Sequence, residues 1–286
     1  MAFRSPLRIF QSRSSLTAFL FGTSATMSSY SPTTTKYTPR HGDKLYTEVY
    51  YQRDFSRQDE RPDKEFYSRP ILAAHIDENA IESLSKYYNE VLPKTGNILD
   101  FCSSWISHYP SRISEAAEKG EVEVYGMGLN AEELARNPIF GPKDNGRRFV
   151  QDLNDASPAE VPLPFPSDVK LDASTCTVSI DYLSRPLAVL TAIRNQTKEG
   201  GTIHLTISNR AFWHKVIRRW REINEEERVL MVCDFLHFSA WKDIEIITVV
   251  PPGQGHDPLW VVRGTKRSVE EDVKFESATS QGHKGF

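Results

Sequence analysis

The chain has 286 residues, 39% of them hydrophobic and 26% charged, with a formal net charge of -3. That balance predicts a globular chain with room for one large α/β domain or two small ones, and it leaves no basic footprint for nucleic acid. No apolar run reaches the length of a membrane-crossing helix, and Cys102, Cys176 and Cys233 lie too far apart for a metal-ligand pair or a disulfide framework.

Residues 1–42 carry Arg4, Arg8, Arg13, Lys36 and Arg40, are rich in Ser and Thr, and contain no acid. This composition predicts a mitochondrial transit peptide over 1–42; the other readings are a disordered segment or a shorter product started at Met27, and the alternative location is cytoplasmic. Residues 43–95 read as a helical or lid segment, with Tyr67 and Arg69 in the part that could cover a site. Asp77 is the expected N-cap of a helix whose apolar stripe is Ile81, Leu84, Tyr88 and Val91, ended by Pro93 and Gly96. The main domain is expected over 96–267, and the polar residues 268–286 are expected to be a disordered tail.

Asn97 to Cys102 reads as a short buried strand, followed by a loop with Ser103, Ser104, Trp105, Ser107 and His108. Pro110 opens a helix and Gly120 ends it. Glu121 to Tyr125 is a second strand. Asn130 caps a short helix, with Glu133 at the reciprocal capping-box position. Asp144-Asn145-Gly146 is a turn signal before a third strand, Arg147 to Leu153. Ala173 to Ile180 is a β-branched run, Arg185-Pro186 opens a helix carrying Leu187, Leu190 and Ile193, and Gly200-Gly201 ends it before Thr202 to Ser208. Strand, helix and strand with short joints make a βαβ unit with parallel strands. Two helices over 211–238 and strands over 243–250 and 259–266 complete the chain. The expectation is an α/β fold with a doubly wound, mostly parallel, seven-stranded sheet that takes ligands at the carboxyl ends of its strands.

Gly126-Met-Gly128-Leu-Asn-Ala131 matches the dinucleotide pattern G-x-G-x-x-A, and Asp152 ends the next strand. One reading is therefore a nicotinamide-dependent oxidoreductase. A longer stretch points elsewhere. Asn97-Ile-Leu-Asp100, Tyr125 to Leu134, Phe149-Val-Gln-Asp152, Leu171-Asp-Ala, Asp181-Tyr-Leu-Ser-Arg-Pro186 and Lys198-Glu-Gly-Gly201 follow one another over 96–208. In this order they resemble the class I S-adenosylmethionine-dependent methyltransferases, in particular the type 11 group. The resemblance implies a Rossmann-like methyltransferase fold, S-adenosylmethionine as cofactor, and methyl transfer to an unidentified small-molecule or protein acceptor. A non-catalytic module on the same fold is the alternative.

The glycine loop of that family is altered here. Cys102, Ser103, Ser104 and Trp105 stand where it has glycines, and Gly128 stands where it has the ribose-binding acid. Asn130 would then be a neutral ribose partner, and an acid at Gly128 is expected to tighten binding. The resemblance places Asp100, Cys102, Ser103, Ser104, Gly128, Asn130, Asp152, Leu153 and Ser179 at the cofactor, with Asp152 on the adenine. It places Asp181, Tyr182, Arg210 and His214 on the substrate side, with Asp181 as a possible base. It names no metal and fixes no catalytic group, because displacement at a sulfonium methyl needs mainly alignment.

Overall fold

The computed structural model describes residues 31–141, 146–155, 161–268 and 270. The turn expected at 144–146 therefore falls largely outside the described residues, as do most of the proposed tail and residues 1–30 of the proposed leader.

Eight strands form one sheet: β1 (Thr33–Lys36), β2 (Gly96–Phe101), β3 (Val122–Gly128), β4 (Arg148–Val150), β5 (Leu171–Thr177), β6 (Thr197–Ser208), β7 (Trp241–Val250) and β8 (Leu259–Lys266). Their spatial order is β1-β7-β8-β6-β5-β2-β3-β4. Strands β4, β3, β2, β5 and β6 are parallel neighbours, whereas β8 runs antiparallel to both β6 and β7. Numbered among themselves, the five parallel strands lie in the order 3-2-1-4-5 of a doubly wound sheet. The order reverses between β2 and β5.

The helices are α1 (Tyr46–Val49), α2 (Asp63–Phe66), α3 (Glu78–Val91), α4 (Ser111–Glu118), α5 (Ala131–Arg136), α6 (Pro186–Gln196), α7 (Arg218–Glu222) and α8 (Glu225–Phe238). Successive strand residues divide between two buried clusters, as a sheet covered on both faces requires. Leu99, Phe101, Tyr125 and Met127 join one cluster with Leu190 of α6 and Phe235 of α8. Ile98, Val122 and Val124 join the other with Leu84 and Tyr88 of α3 and Ile113 of α4. Asp77 caps α3 as expected, accepting from the Ala80 amide at 2.9 Å.

Two expectations change. Helix α6 ends at Gln196, where the Thr197 hydroxyl donates to the Ile193 carbonyl, and Gly200-Gly201 lies inside β6. There the pairing with β5 shifts register, and a Cβ on Gly201 would meet Thr197 Cγ2 at 2.5 Å. The eighth strand, β1, comes from residues assigned by composition to the leader. Its Thr-rich run pairs antiparallel with β7 and so forms the edge of the sheet, as β-branched residues favour. The boundary at residue 42 therefore cuts through folded chain.

Just beyond β1, the N-terminal segment is tied to α8 through one carboxylate. Asp234 is fully buried and accepts from Arg40 Nη2 at 2.9 Å, His41 Nε2 at 2.9 Å and the hydroxyls of Tyr37 and Tyr50. Burial opposes ionisation of Asp234, but these donors outweigh it and hold the carboxyl below its ordinary range. Its stabilising contribution is therefore present above the unfolded pKa and is lost as pH falls through the depressed folded value. Asp234→Ala leaves Arg40 without this partner and is expected to cost about 3 kcal/mol at neutral pH, measured by denaturant unfolding. The difference from the parent chain should shrink as the pH is lowered below about 4.

Candidate functional site

The reversal of strand order sends the chain off β2 and β5 to opposite sides and opens a crevice at their carboxyl ends. A cleft of about 1160 Å³, counting its open mouth, occupies that place. It is lined by Asp100 near the end of β2 with Cys102 and Ser103 just after it, and by Thr177 at the end of β5 with Val178 and Ser179 just after it. Asp152, Leu153 and Asn154 after β4 close one end. The N-terminal segment covers the other side with Arg57, Asp63, Tyr67, Ile71 and His75.

Both strands turn sharply where they reach the cleft. Cys102 has φ 53°, His108 φ 56° and Val178 φ 44°, and all three line it. Left-handed backbone is uncommon outside glycine and an outlier for a β-branched residue. The loop after β2 thus adopts a glycine-type conformation without glycine, at a strain on the order of 1–3 kcal/mol per residue.

Asp100, near the end of β2, is buried against that loop. It accepts from the Ser103 and Ser107 hydroxyls, both at 2.6 Å, and from Thr175 Oγ1 at 3.3 Å. Burial raises its pKa to about 6, against the lowering effect of those hydroxyls. Asp152 accepts from the Asn154 amide at 2.9 Å, and burial raises its pKa as well. Glu133 projects from α5 and accepts from Ser104 Oγ at 2.6 Å and the Ile71 amide at 2.7 Å. Its carboxylate is therefore used in the cleft wall, where the sequence suggested a capping box. Asn130 performs the cap alone, accepting from the Glu132 and Glu133 amides while its Nδ2 donates to the Tyr67 carbonyl.

The structure brings Asp100, Cys102, Ser103, Ser104, Asp152, Leu153, Ser179 and Tyr182 together in the cleft wall. It does not bring the others. Gly128 packs directly against the loop after β2, and a Cβ there would meet the Ser103 carbonyl oxygen at 2.1 Å. A Cβ on Gly126 would meet the Phe140 ring at 2.2 Å. Both glycines are explained by close packing, and the acid imagined at Gly128 has no room. Asn130 is committed to its helix cap. Asp181 is buried away from the lining, its pKa raised to about 8 by desolvation, and its carbonyl accepts from the Ile217 amide. Arg210 pairs with Asp257 at 2.8 Å outside the cleft. His214 is exposed, its ring 5.3 Å from that of Phe66.

The lining also contains groups that sequence reading missed. Asp63 accepts from Arg57 Nη1 at 2.7 Å, Lys215 Nζ at 3.0 Å and Asn154 Nδ2 at 2.8 Å. Lys215 is buried, next to the exposed His214 that sequence reading singled out. This cluster locks the N-terminal segment onto the ends of β4 and β6. His75 and His108 also line the cleft.

No protein-family model matches the chain, and no curated protein matches it. Among solved structures the chain is similar to one from a complex between the Haloferax volcanii Trm112 methyltransferase activator and a methyltransferase. The identity is 12%, the TM-score 0.45, and the match covers 67% of this chain and 92% of that one. It is similar to an S-adenosylmethionine-dependent methyltransferase from Mesorhizobium loti at 16% identity and a TM-score of 0.43, covering 64% of this chain and 97% of that one. It is also similar to Haemonchus contortus phosphoethanolamine N-methyltransferase 2, in complex with phosphomonomethylethanolamine and S-adenosylhomocysteine. There the identity is 13%, the TM-score 0.42, and the coverage 65% of this chain and 53% of that one.

The close approach at Gly128 has a direct consequence. Gly128→Ala is expected to destabilise the protein by about 1–3 kcal/mol, the ordinary cost of overpacking. Gly128→Asp should cost at least as much and should weaken ligand binding by displacing Ser103. Thermal unfolding of both variants checks this.

Proposed function

We propose that this protein binds S-adenosylmethionine in the cleft between β2 and β5 and transfers its methyl group to an acceptor. The observation that carries the reading is the charge of the cleft. Four carboxylates line it, Asp63, Asp100, Glu133 and Asp152, against two basic side chains, Arg57 and Lys215, and both of those hydrogen-bond Asp63. The other three carboxylates hydrogen-bond to hydroxyls and backbone amides. A cationic sulfonium ligand is attracted by that field, and a dinucleotide pyrophosphate is repelled.

The dinucleotide reading loses its other support too. The glycines of Gly126-Met-Gly128 lie inside β3. The first-turn amides of α5, where a pyrophosphate would dock, are capped by Asn130, and that turn carries Glu132 and Glu133.

The residues present fit the proposed cofactor. Asp152 and the Leu153 backbone would take the adenine edge, and Glu133 would take the ribose hydroxyls in place of an acid at Gly128. The turn at Cys102 to Ser104 would take the methionine carboxylate, with Asp100 beneath it to favour the ammonium. When bound, S-adenosylmethionine supplies a methyl group activated by its sulfonium. The chain's part is alignment, with the covering segment held by the Asp63 cluster to exclude water. The mitochondrial reading belongs to the same proposal and is supported by composition alone. It is confined to the residues before β1, since later ones pair with the sheet.

Calorimetric titration with S-adenosylhomocysteine and NADH tests the reading: the first should bind, and binding of NADH alone would contradict it. Asp152→Ala should weaken S-adenosylhomocysteine by about 10- to 100-fold, the loss of a hydrogen bond to a charged group of about 1.5–3 kcal/mol. Affinity for S-adenosylmethionine should also depend on pH. Burial raises the Asp100 pKa to about 6, and a bound cation favours the ionised form. Affinity is therefore expected to rise as pH rises through about 6, and Asp100→Asn should flatten that rise.

A further inference from the structure

We propose that His108 accepts the proton of the methyl acceptor, and that the acceptor is an uncharged, ring-bearing small molecule methylated on a hydroxyl oxygen. This rests on the cofactor reading above.

His108 lies on the loop between β2 and α4, in left-handed backbone, and lines the cleft. Its Nδ1 is buried and has no hydrogen-bond partner among the described residues. The buried histidine of the core shows the contrast. His204 Nδ1 meets the Tyr87 hydroxyl at 2.8 Å and its Nε2 meets Thr202 Oγ1 at 2.9 Å, so that ring is satisfied. His108 lines the cleft, and its buried Nδ1, which no group among the described residues pairs, gains a partner when the ring turns to a ligand bound there.

The surroundings narrow the ligand. Tyr67, Trp105, Tyr182 and Phe212 give the cleft aromatic walls. Two of their polar atoms are used: Trp105 Nε1 donates to the Ala73 carbonyl, and the Tyr182 hydroxyl accepts from the Phe212 amide. Arg57 and Lys215 are held by Asp63, so no free cation invites an anionic acceptor.

The chemistry selects oxygen. Burial, and then the neighbouring His75, lower the His108 pKa to about 4, so its ring is neutral and offers a lone pair. As the C–O bond forms, the C–S bond breaks and its electron pair goes to sulfur. The attacking oxygen becomes positive and its proton strongly acidic. Even a weakly basic imidazole takes that proton, and the imidazolium then releases it to solvent. A methylated alkylamine is a far stronger base than this ring and keeps its proton, so His108 would do nothing for it.

The test uses the full chain, with 2-naphthol and 2-(aminomethyl)naphthalene as probes. Calorimetry should show 2-naphthol binding to the protein saturated with S-adenosylhomocysteine. Label from methyl-tritiated S-adenosylmethionine should appear on 2-naphthol in preference to the amine. His108→Asn is the chosen variant, because Asn tolerates left-handed backbone and its amide is no base. It should bind S-adenosylhomocysteine as the parent does, bind 2-naphthol about tenfold more weakly, and lose about 100-fold or more in transfer rate. An Asn variant that transfers at the parent rate overturns the proposal. So does preference for the amine, or failure of 2-naphthol to bind a protein that does bind S-adenosylhomocysteine. Failure of S-adenosylhomocysteine itself to bind overturns the cofactor reading first, and this one with it.

Discussion

The reversal of strand order between β2 and β5 is the constraint on which the site depends. Parallel strands joined by right-handed crossovers can be wound in either direction from a central pair, and here the two windings start at these neighbours. The segments leaving them cannot cover the gap between them. The gap becomes the cleft, and the backbone on both sides must bend away within a residue or two. Left-handed φ values at Cys102 and Val178 are the local expression of that bend. The sheet's two buried faces fix the strands firmly enough to sustain it.

A second layer of polar contacts closes the cleft from above. The covering segment has few regular elements, and Leu45, Tyr51 and Leu72 within it are exposed. It is held instead at two polar anchors, Asp234 beside α8 and Asp63 against Arg57, Lys215 and Asn154. The second anchor is part of the cleft wall, so the same ion cluster orders the cover and shapes the site. Breaking it would loosen the cover while leaving the sheet's apolar clusters intact, a separation that suits a lid.

The parallel half of the fold was legible in the sequence because its signals are local. Asn97 to Asp100, the β-branched run before Thr177, and Pro186 opening α6 each act within a few residues. The parts that were not legible depend on distant partners. The Thr33–Lys36 strand is polar and exposed, and only the edge of β7 gives it a role. Lys215 and Asp63 are 152 residues apart in sequence, and neither belongs to a motif. His214 attracted attention as a histidine after a strand, yet the neighbouring lysine is the residue turned inward. Gly126 and Gly128 misled in another way. The pattern G-x-G is produced equally by a phosphate turn and by two strand positions pressed against a ring and a carbonyl, and only the packing of Phe140 and Ser103 against them distinguishes the two.

The central claim is that an adenosyl ligand sits across the carboxyl ends of β2, β4 and β5. Amide hydrogen exchange with and without S-adenosylhomocysteine tests this most directly. The account predicts added protection in residues 102–108, 152–154 and 177–179, and none in the antiparallel pair β7 and β8. Unchanged exchange in those three loops at saturating ligand, or protection centred on β7 and β8, would contradict it.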